Sequence, residues 1–423
     1  MLIGKRLSVL VVFLLAGLSV ISAQQTGPAP AQSAAKDKDN KAEKAKAPAD
    51  AELIDKLIAQ LGADSFKERE EAIRRLIAVG PPALGALRRT ADDKRADPDV
   101  RLRAARAAFA IATVRIEMVR RLGEHADEPN TVNYRWATRV ALSPDGKHAI
   151  TAGVDALRYW DLASGKPLRV FGENKRGYWS VSFSADGRSV LGGGRNRNAY
   201  LFDVNTGKQL AEMTGHQQEV WGAVLTANGK QALTASWDRS IRVWDTATGK
   251  QIRTFKGVND SVRCLALSPD GKLLAAGHFG VANGPGIVRL WDVEKGTVVR
   301  SMKGHELEIT SVAFSTDGQS LLSSSFDKTI RIWRVSDGKE MKCLRGHIGR
   351  IECAAFTPNG RRVVSCASES DPIVRLWEVS SGKQLGQSES VAGGFLSIAA
   401  LPDGQHALTT GKDGTVRLWR WMR

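Results

Sequence analysis

An aromatic residue recurs along this chain at a near-constant interval. Trp160, Phe202, Trp244, Trp291, Trp333, Trp377 and Trp419 are separated by 42, 42, 47, 42, 44 and 42 residues. A period of that length constrains the fold more than any other feature, because it means one supersecondary unit used repeatedly. Gly304–Trp333 gives the unit in its plainest form. Ile309–Ser315 is apolar and β-branched, Thr316-Asp317-Gly318 supplies the residue a tight turn needs, and Gln319–Ser325 returns as a second strand. Phe326-Asp327-Lys328 turns again into Thr329–Arg334, and a more polar fourth run, Glu340–Leu344, follows Ser336-Asp337-Gly338-Lys339. The first-hairpin turn recurs as SPDGK at 143–147, SADGR at 184–188, TANGK at 226–230, SPDGK at 268–272, STDGQ at 315–319, TPNGR at 357–361 and LPDGQ at 401–405. Seven such positions predict a mainly β chain of seven four-stranded antiparallel blades.

The unit resembles the WD repeat of β-propellers over roughly residues 117 to 423. Gly-His stands at Gly215-His216, Gly304-His305 and Gly346-His347, and Trp-Asp at Trp160, Trp244 and Trp291; Phe202 replaces one Trp, and Arg334, Glu378 and Arg420 replace the Asp. The resemblance implies a hydrogen-bonded structural set in each good blade: His216, Asp238 and Trp244; His305, Asp327 and Trp333; His347, Asp371 and Trp377. A second-strand hydroxyl joins each set; Ser323 and Ser325 are both candidates, since they share a face. Acid/base catalysis by these pairs is the alternative, but repetition around a ring suits structure, whereas an active site needs one copy.

Ahead of the repeats, Met1–Arg6 carries two positive charges, Leu7–Ile21 is apolar and small, and Ile21-Ser22-Ala23 ends in small residues. That order predicts a signal peptide over 1–23, with an uncleaved membrane anchor as the competing reading, and hence an exported protein, periplasmic, secreted or envelope-associated. Residues 24–50 are Ala, Pro, Lys, Asp and Gln with almost no large apolar side chain, a composition too polar to fold. From 51 to 116 apolar residues recur at helical spacing. Asp50 would cap a helix over Ala51–Leu61, Ser65 and Glu68 would form a capping box for one ending at Val79, a short one would reach Thr90, and one from Asp97-Pro98 would run through Arg115. With AVGPPALGALRR at their centre, these helices resemble HEAT-type repeats. Arg101 and Arg103 read as a solvated helix face rather than a nucleic-acid contact.

The net charge is +16. Residues 51–130 hold 15 basic and 14 acidic side chains, so the excess lies from Thr131 onward, with 39 against 27. Much of it falls in two kinds of turn that leave one face of a propeller. Lys147, Arg188, Lys230, Lys272 and Arg361 lie between first and second strands; Lys166, Lys208, Lys250, Lys295, Lys339 and Lys383 lie between third and fourth. Such a ring serves solubility, or binds an acidic polymer or anionic membrane surface.

Cys264, Cys343, Cys353 and Cys366 are too few and too irregular for a disulfide framework or zinc site. If Phe356 pairs with Val363, Cys353 lies opposite Cys366 and could bridge to it. No phosphate-binding loop, nucleophile elbow, zinc-protease motif or dinucleotide fingerprint is found. GVANGPG at Gly280–Gly286 reads as a decorated loop in the longest interval.

The sequence thus predicts a non-enzymatic exported scaffold, without cofactor or metal and monomeric, that binds protein partners and not nucleic acid. The alternatives are binding of acidic polysaccharide or anionic membrane, and a propeller enzyme with an unrecognised site. Only four residues follow Trp419, too few for a fourth strand in the last blade. Glu117–Leu122 resembles Glu340–Leu344 and should pair with Thr415–Arg420 to close the ring. Aromatic and cationic residues gather in turns opposite the lysine ring on adjacent blades, and Trp179, Arg195, Arg197, Trp221, Trp237, Arg239 and Phe326 form the expected partner-binding patch. Packing between blades is the competing reading for Trp179 and Trp221.

Overall fold

Every first-hairpin glycine, Gly146, Gly187, Gly229, Gly271, Gly318, Gly360 and Gly404, adopts a positive φ of 66 to 71°. A side chain is strained there, so these seven turns are what fixes the repeat. The computed structural model describes residues 51–112, 114–125, 136–173, 177–255, 257–279 and 284–422. The signal-peptide and linker expectations, and residues 280–283 of the decorated loop, lie outside them. The chain divides into two compact units between Ala108 and Phe109.

The N-terminal unit is helical. Residues 51–59 are α-helical and tighten into a 3-10 turn at Gln60–Gly62; Phe66–Val79, Pro81–Asp92 and Pro98–Ala112 follow. Leu57, Leu61, Ala72, Leu76, Ala83, Leu87 and Ala104 are buried. Three expectations need correction. Ser65 stands at the N-cap with extended backbone, but its side chain makes no capping bond. Arg101 and Arg103 are not a bare solvated face: Arg101 donates to the Ala91 carbonyl at 3.2 Å, and Arg103 to that of Leu61 at 2.8 Å, stitching helices together. The last helix stops at Ala112, short of Arg115, because Val114 already begins a strand whose residues Arg115 and Ile116 pair with Met422 and Trp421.

The second unit is a propeller of four-stranded antiparallel blades. Blades one to six span Ala137–Phe171, Tyr178–Met213, Val220–Thr254, Val262–Lys303, Ile309–Arg345 and Ile351–Gln387. The seventh combines Phe395–Met422 with the closing strand Val114–Glu124, which runs antiparallel to Thr415–Met422. The first five blades are separate sheets, whereas the last two are fused into one eight-stranded sheet. A two-residue parallel bridge joins them, Val114 to Gly386 and Arg115 to Gln387. The expected seven blades are therefore five free ones and a joined pair. Blade one meets blade seven where Arg139 donates to the Leu396 carbonyl at 3.1 Å.

Each closing Trp, and Phe202 in its place, is buried, and apolar clusters fill the spaces between successive blades. Burial of a large aromatic contributes roughly 1.5–3 kcal/mol, so the periodic residue is also the periodic core. The innermost strands line a channel of about 500 Å³ whose wall is largely apolar, including Val140, Val181, Leu265, Val312, Phe314 and Ile398. Cys353 does pair with Cys366 across its hairpin, and both are free, buried thiols. Burial pushes the Cys366 thiol well above its usual range and that of Cys264 up to about 12, which makes them inert strand hydrophobes.

Candidate functional site at the channel mouth

Two backbone patterns define the two faces. The turn between third and fourth strands hydrogen-bonds back to that between first and second, as Leu162 N–H to Lys147 O, Val204 to Arg188 and Val379 to Arg361. All eleven cations of the predicted ring are exposed there. On the opposite face the turn between second and third strands bonds to the residue entering the first strand: Val154 N–H to Trp136 O, Trp237 to Glu219, Phe326 to Glu308 and Ser368 to Arg350.

Histidine sets pin these loops. Neutral His216 donates from Nδ1 to Asp238 at 2.8 Å and accepts at Nε2 from Thr234 Oγ1 at 2.7 Å, while the Trp244 indole donates to that hydroxyl at 2.7 Å. His305 meets Asp327 at 2.7 Å and Ser323 at 2.8 Å, and His347 meets Asp371 at 2.6 Å and Ser365 at 2.8 Å, with Trp333 and Trp377 donating to the two serines. Of the two hydroxyls open for blade five, Ser323 takes the bridging place; Ser325 instead donates to the Leu307 carbonyl. The carboxylates also accept the N–H of Gln217, Glu306 and Ile348, tying each entry loop to its turn. Burial holds His216 and His347 below the usual imidazole range despite their carboxylates, consistent with the neutral tautomer.

Sequence reasoning missed a fourth set. His125 meets Asp155 at 2.7 Å and Thr151 at 2.7 Å, and Trp160 donates to Thr151 at 2.8 Å. Its glycine and histidine are split by Glu124, and a register shift between Arg121 and Gly123 absorbs the extra residue. In blade seven Trp419 donates to Thr409 with no histidine, and in blade four Ala276 replaces the hydroxyl, leaving the Trp291 indole N–H buried without an acceptor among the described residues.

Every first strand carries a bulge that skips its second residue: Thr138, Trp179, Trp221, Arg263, Thr310, Glu352 and Leu396. A bulge re-aims a side chain, and most of these residues line a cavity of about 210 Å³ at the channel mouth. Unlike the histidine sets, they are not one residue type repeated: two are Thr, two Trp, and the others Arg, Glu and Leu. Trp179 stacks on Trp221 at 4.3 Å, Trp221 on Trp237 at 4.7 Å, and Trp136 lies tilted against Trp179 at 6.2 Å. Cations lie close to the rings: Lys412 to Trp136 at 5.6 Å, Arg195 to Trp179 at 5.4 Å, Arg263 to Trp221 at 5.4 Å and to Phe326 at 4.8 Å, and Arg350 to Phe326 at 4.9 Å. Each of the seven blades, with its entry loop, contributes at least one member of this chain, and blades two and three contribute two each. Its floor is polar. Arg263 binds Glu308 at 2.7 Å and Glu352 at 3.2 Å, and Arg139 reaches from blade one to the Thr310 carbonyl in blade five at 2.9 Å, the common wall of mouth and channel.

Of the patch residues read from sequence, the structure brings Trp179, Trp221, Trp237, Arg195 and Phe326 together. Trp179 and Trp221 pack on each other at the mouth, and Trp237 ends the stack 40 % exposed. Arg197 and Arg239 stand apart from the rings, at the exposed turn position next along. Trp136, Arg263, Arg350 and Lys412 were missed: Trp136 and Arg350 stand in entry loops and Arg263 at a bulge, which the aromatic period does not mark, while Lys412 holds in blade seven the turn position of Trp237 and Phe326. Arg197, Arg239 and Lys328 hold φ of 73, 65 and 68°, and blade seven places Gly414, at 77°, in the same position. Each such residue costs on the order of 1 kcal/mol, so three cations are kept where glycine would fit without strain.

Among the described residues no group of three His, Cys, Asp or Glu could hold a metal ion, and no helix is long and apolar enough to cross a membrane. No curated protein matches the chain. The family model of the WD domain, G-beta repeat, matches residues 165–203, 207–245, 249–292, 296–334, 338–378 and 386–420, six repeats covering more than half of the sequence. With its repeats, its histidine sets and its four-stranded blades, the chain belongs to the WD40 family.

Proposed function

We propose that this protein is an exported, non-catalytic scaffold that captures a protein partner at the channel mouth. WD40 propellers are in general interaction scaffolds that bind protein partners. The single observation that carries the reading is the chain of rings and cations around the mouth, to which every blade contributes. Trp and Arg are the residues enriched at interface hot spots, where truncation commonly costs about 2 kcal/mol or more. Trp237 and Arg239 sit at its exposed edge. Replacing both by alanine should leave the melting temperature within a few degrees and abolish capture of a partner from the envelope fraction. Unchanged capture, or a collapsed fold, rejects the assignment.

Export rests on the charged, apolar and small-residue order of residues 1–23. The mature chain then begins near Gln24, and N-terminal sequencing of the exported protein decides it; intact Met1 in the membrane fraction favours the anchor. A second reading draws on the eleven exposed cations of the opposite face. Salt-sensitive retention on heparin, lost on replacing Lys250 and Lys295 by glutamate, would support binding of an acidic polysaccharide or anionic lipid there.

A further inference from the structure

The mouth is poorly built to hold a cation. The rings' faces are taken by the chain's own Arg195, Arg263, Arg350 and Lys412. Its carboxylates are committed as well, Glu308 and Glu352 to Arg263, Glu369 to Lys412, and Asp238 and Asp327 to their histidines. What remains unanswered is positive charge. Arg197, Arg239 and Lys328 are exposed, make no ion pair among the described residues, and occupy one turn position at the expense of backbone strain. Strain retained in three blades marks the side chains as used. Trp237, in the same turn as Arg239, offers a partly exposed ring.

We propose that the channel mouth recognises an acidic polypeptide segment of the partner, one carboxylate entering the cavity beside Arg350 and Lys412 and a neighbouring apolar side chain lying on Trp237. This rests on the mouth being the partner surface. The size of the cavity favours a peptide side chain: about 210 Å³ lies below the roughly 300–1,000 Å³ of small-molecule sites. A uniform polyanion has a better match in the cation ring of the opposite face, whose charges are spread over many blades.

The test uses the full chain and three capped decapeptides, alike except that four positions are Glu, Gln or Lys, each with one central Phe. Binding is followed by calorimetry and by fluorescence of the tryptophan stack. The Glu peptide should bind, weaken as salt rises, and lose at least tenfold in affinity when Arg350 and Lys412 are both replaced by glutamate; the Gln and Lys peptides should bind at least tenfold more weakly. The same reversal at Lys250 and Lys295 should leave its affinity within twofold. A second variant guards against misfolding: the triple change Arg197→Gly, Arg239→Gly, Lys328→Gly relieves strain, so it should melt no lower than the parent yet bind the Glu peptide at least fivefold more weakly. Preference for the Lys peptide, or Glu-peptide affinity that follows Lys250 and Lys295 instead of the mouth, overturns the proposal. If the Trp237, Arg239 double variant loses partner capture while the peptides show no preference for Glu, the partner surface stands and only its acidic specificity falls.

Discussion

Arg420 donates to Glu117 at 2.9 Å across 303 residues of sequence, on a strand pair that makes the ring continuous. The pair itself is half exposed and worth only about 0–1 kcal/mol, so Glu117→Ala should barely move the melting point. The strand is another matter. It pairs with Thr415–Met422 along nearly its whole length and buries Val114, Ile116 and Leu122. Removing residues 1–124 should lower the melting temperature of the whole propeller by ten degrees or more. A truncated chain that melts like the parent by calorimetry would show that the ring does not depend on this closure.

The seam between blades six and seven has its own test. A Cβ at Gly386 would sit 1.9 Å from the Val114 carbonyl oxygen, so the parallel bridge requires glycine there. Gly386→Ala should destabilise by about 1–3 kcal/mol in urea titrations and raise amide exchange at Val114 and Arg115.

Blade four invites a repair. Ala276 occupies the position that Thr234 and Ser323 fill in blades three and five, and the indole of Trp291 above it lacks an acceptor among the described residues. Ala276→Ser should supply one and stabilise by about 1 kcal/mol, read as a rise of a few degrees in melting temperature.

Acid should unfold the protein from below neutrality. Burial, with Arg289 beside it, drives His278 down to about 3, and burial also lowers His125, His216 and His347. Between the ordinary imidazole value of 6.5 and those lowered values the unfolded chain takes up protons that the folded chain refuses. This contribution is complete above pH 6.5 and is lost progressively as pH falls toward 3. Asp155 has the same sign at lower pH: burial alone would raise it, but hydrogen bonds from His125 and Arg158 hold it at about 2, so its contribution disappears below 3.8. Urea midpoints should therefore fall between pH 7 and pH 4, and His278→Leu should flatten the slope; parallel profiles would exclude His278 as a source.

The repeat was legible because its turn glycines and closing aromatics obey one-residue rules. Ile309 and Thr329 open their strands where alternation placed them, and the partner of Thr415–Arg420 could be found by its likeness to a fourth strand. Of the mouth, the tryptophans could be read and the geometry could not. Whether Trp179 packs between blades or enters the channel mouth depends on a bulge, which shifts register by one residue without any residue type that announces it. His125 was hidden for the same reason. The absent cap at Ser65 fails differently, since its sequence pattern is present and the backbone takes the N-cap conformation, yet the side chain makes no capping bond.

The closing strand is also the covalent link to the helical unit, and its first residues are clamped on both sides, by Gly386 and Gln387 on one and by Met422 and Trp421 on the other. Any pull on the N-terminal segment is thus delivered at the clamp and shared between two blades before a single rung of the ladder need part. The seam is thus where a load applied through the N-terminal segment would fall, and the few backbone bonds around Val114 would set the resistance to it.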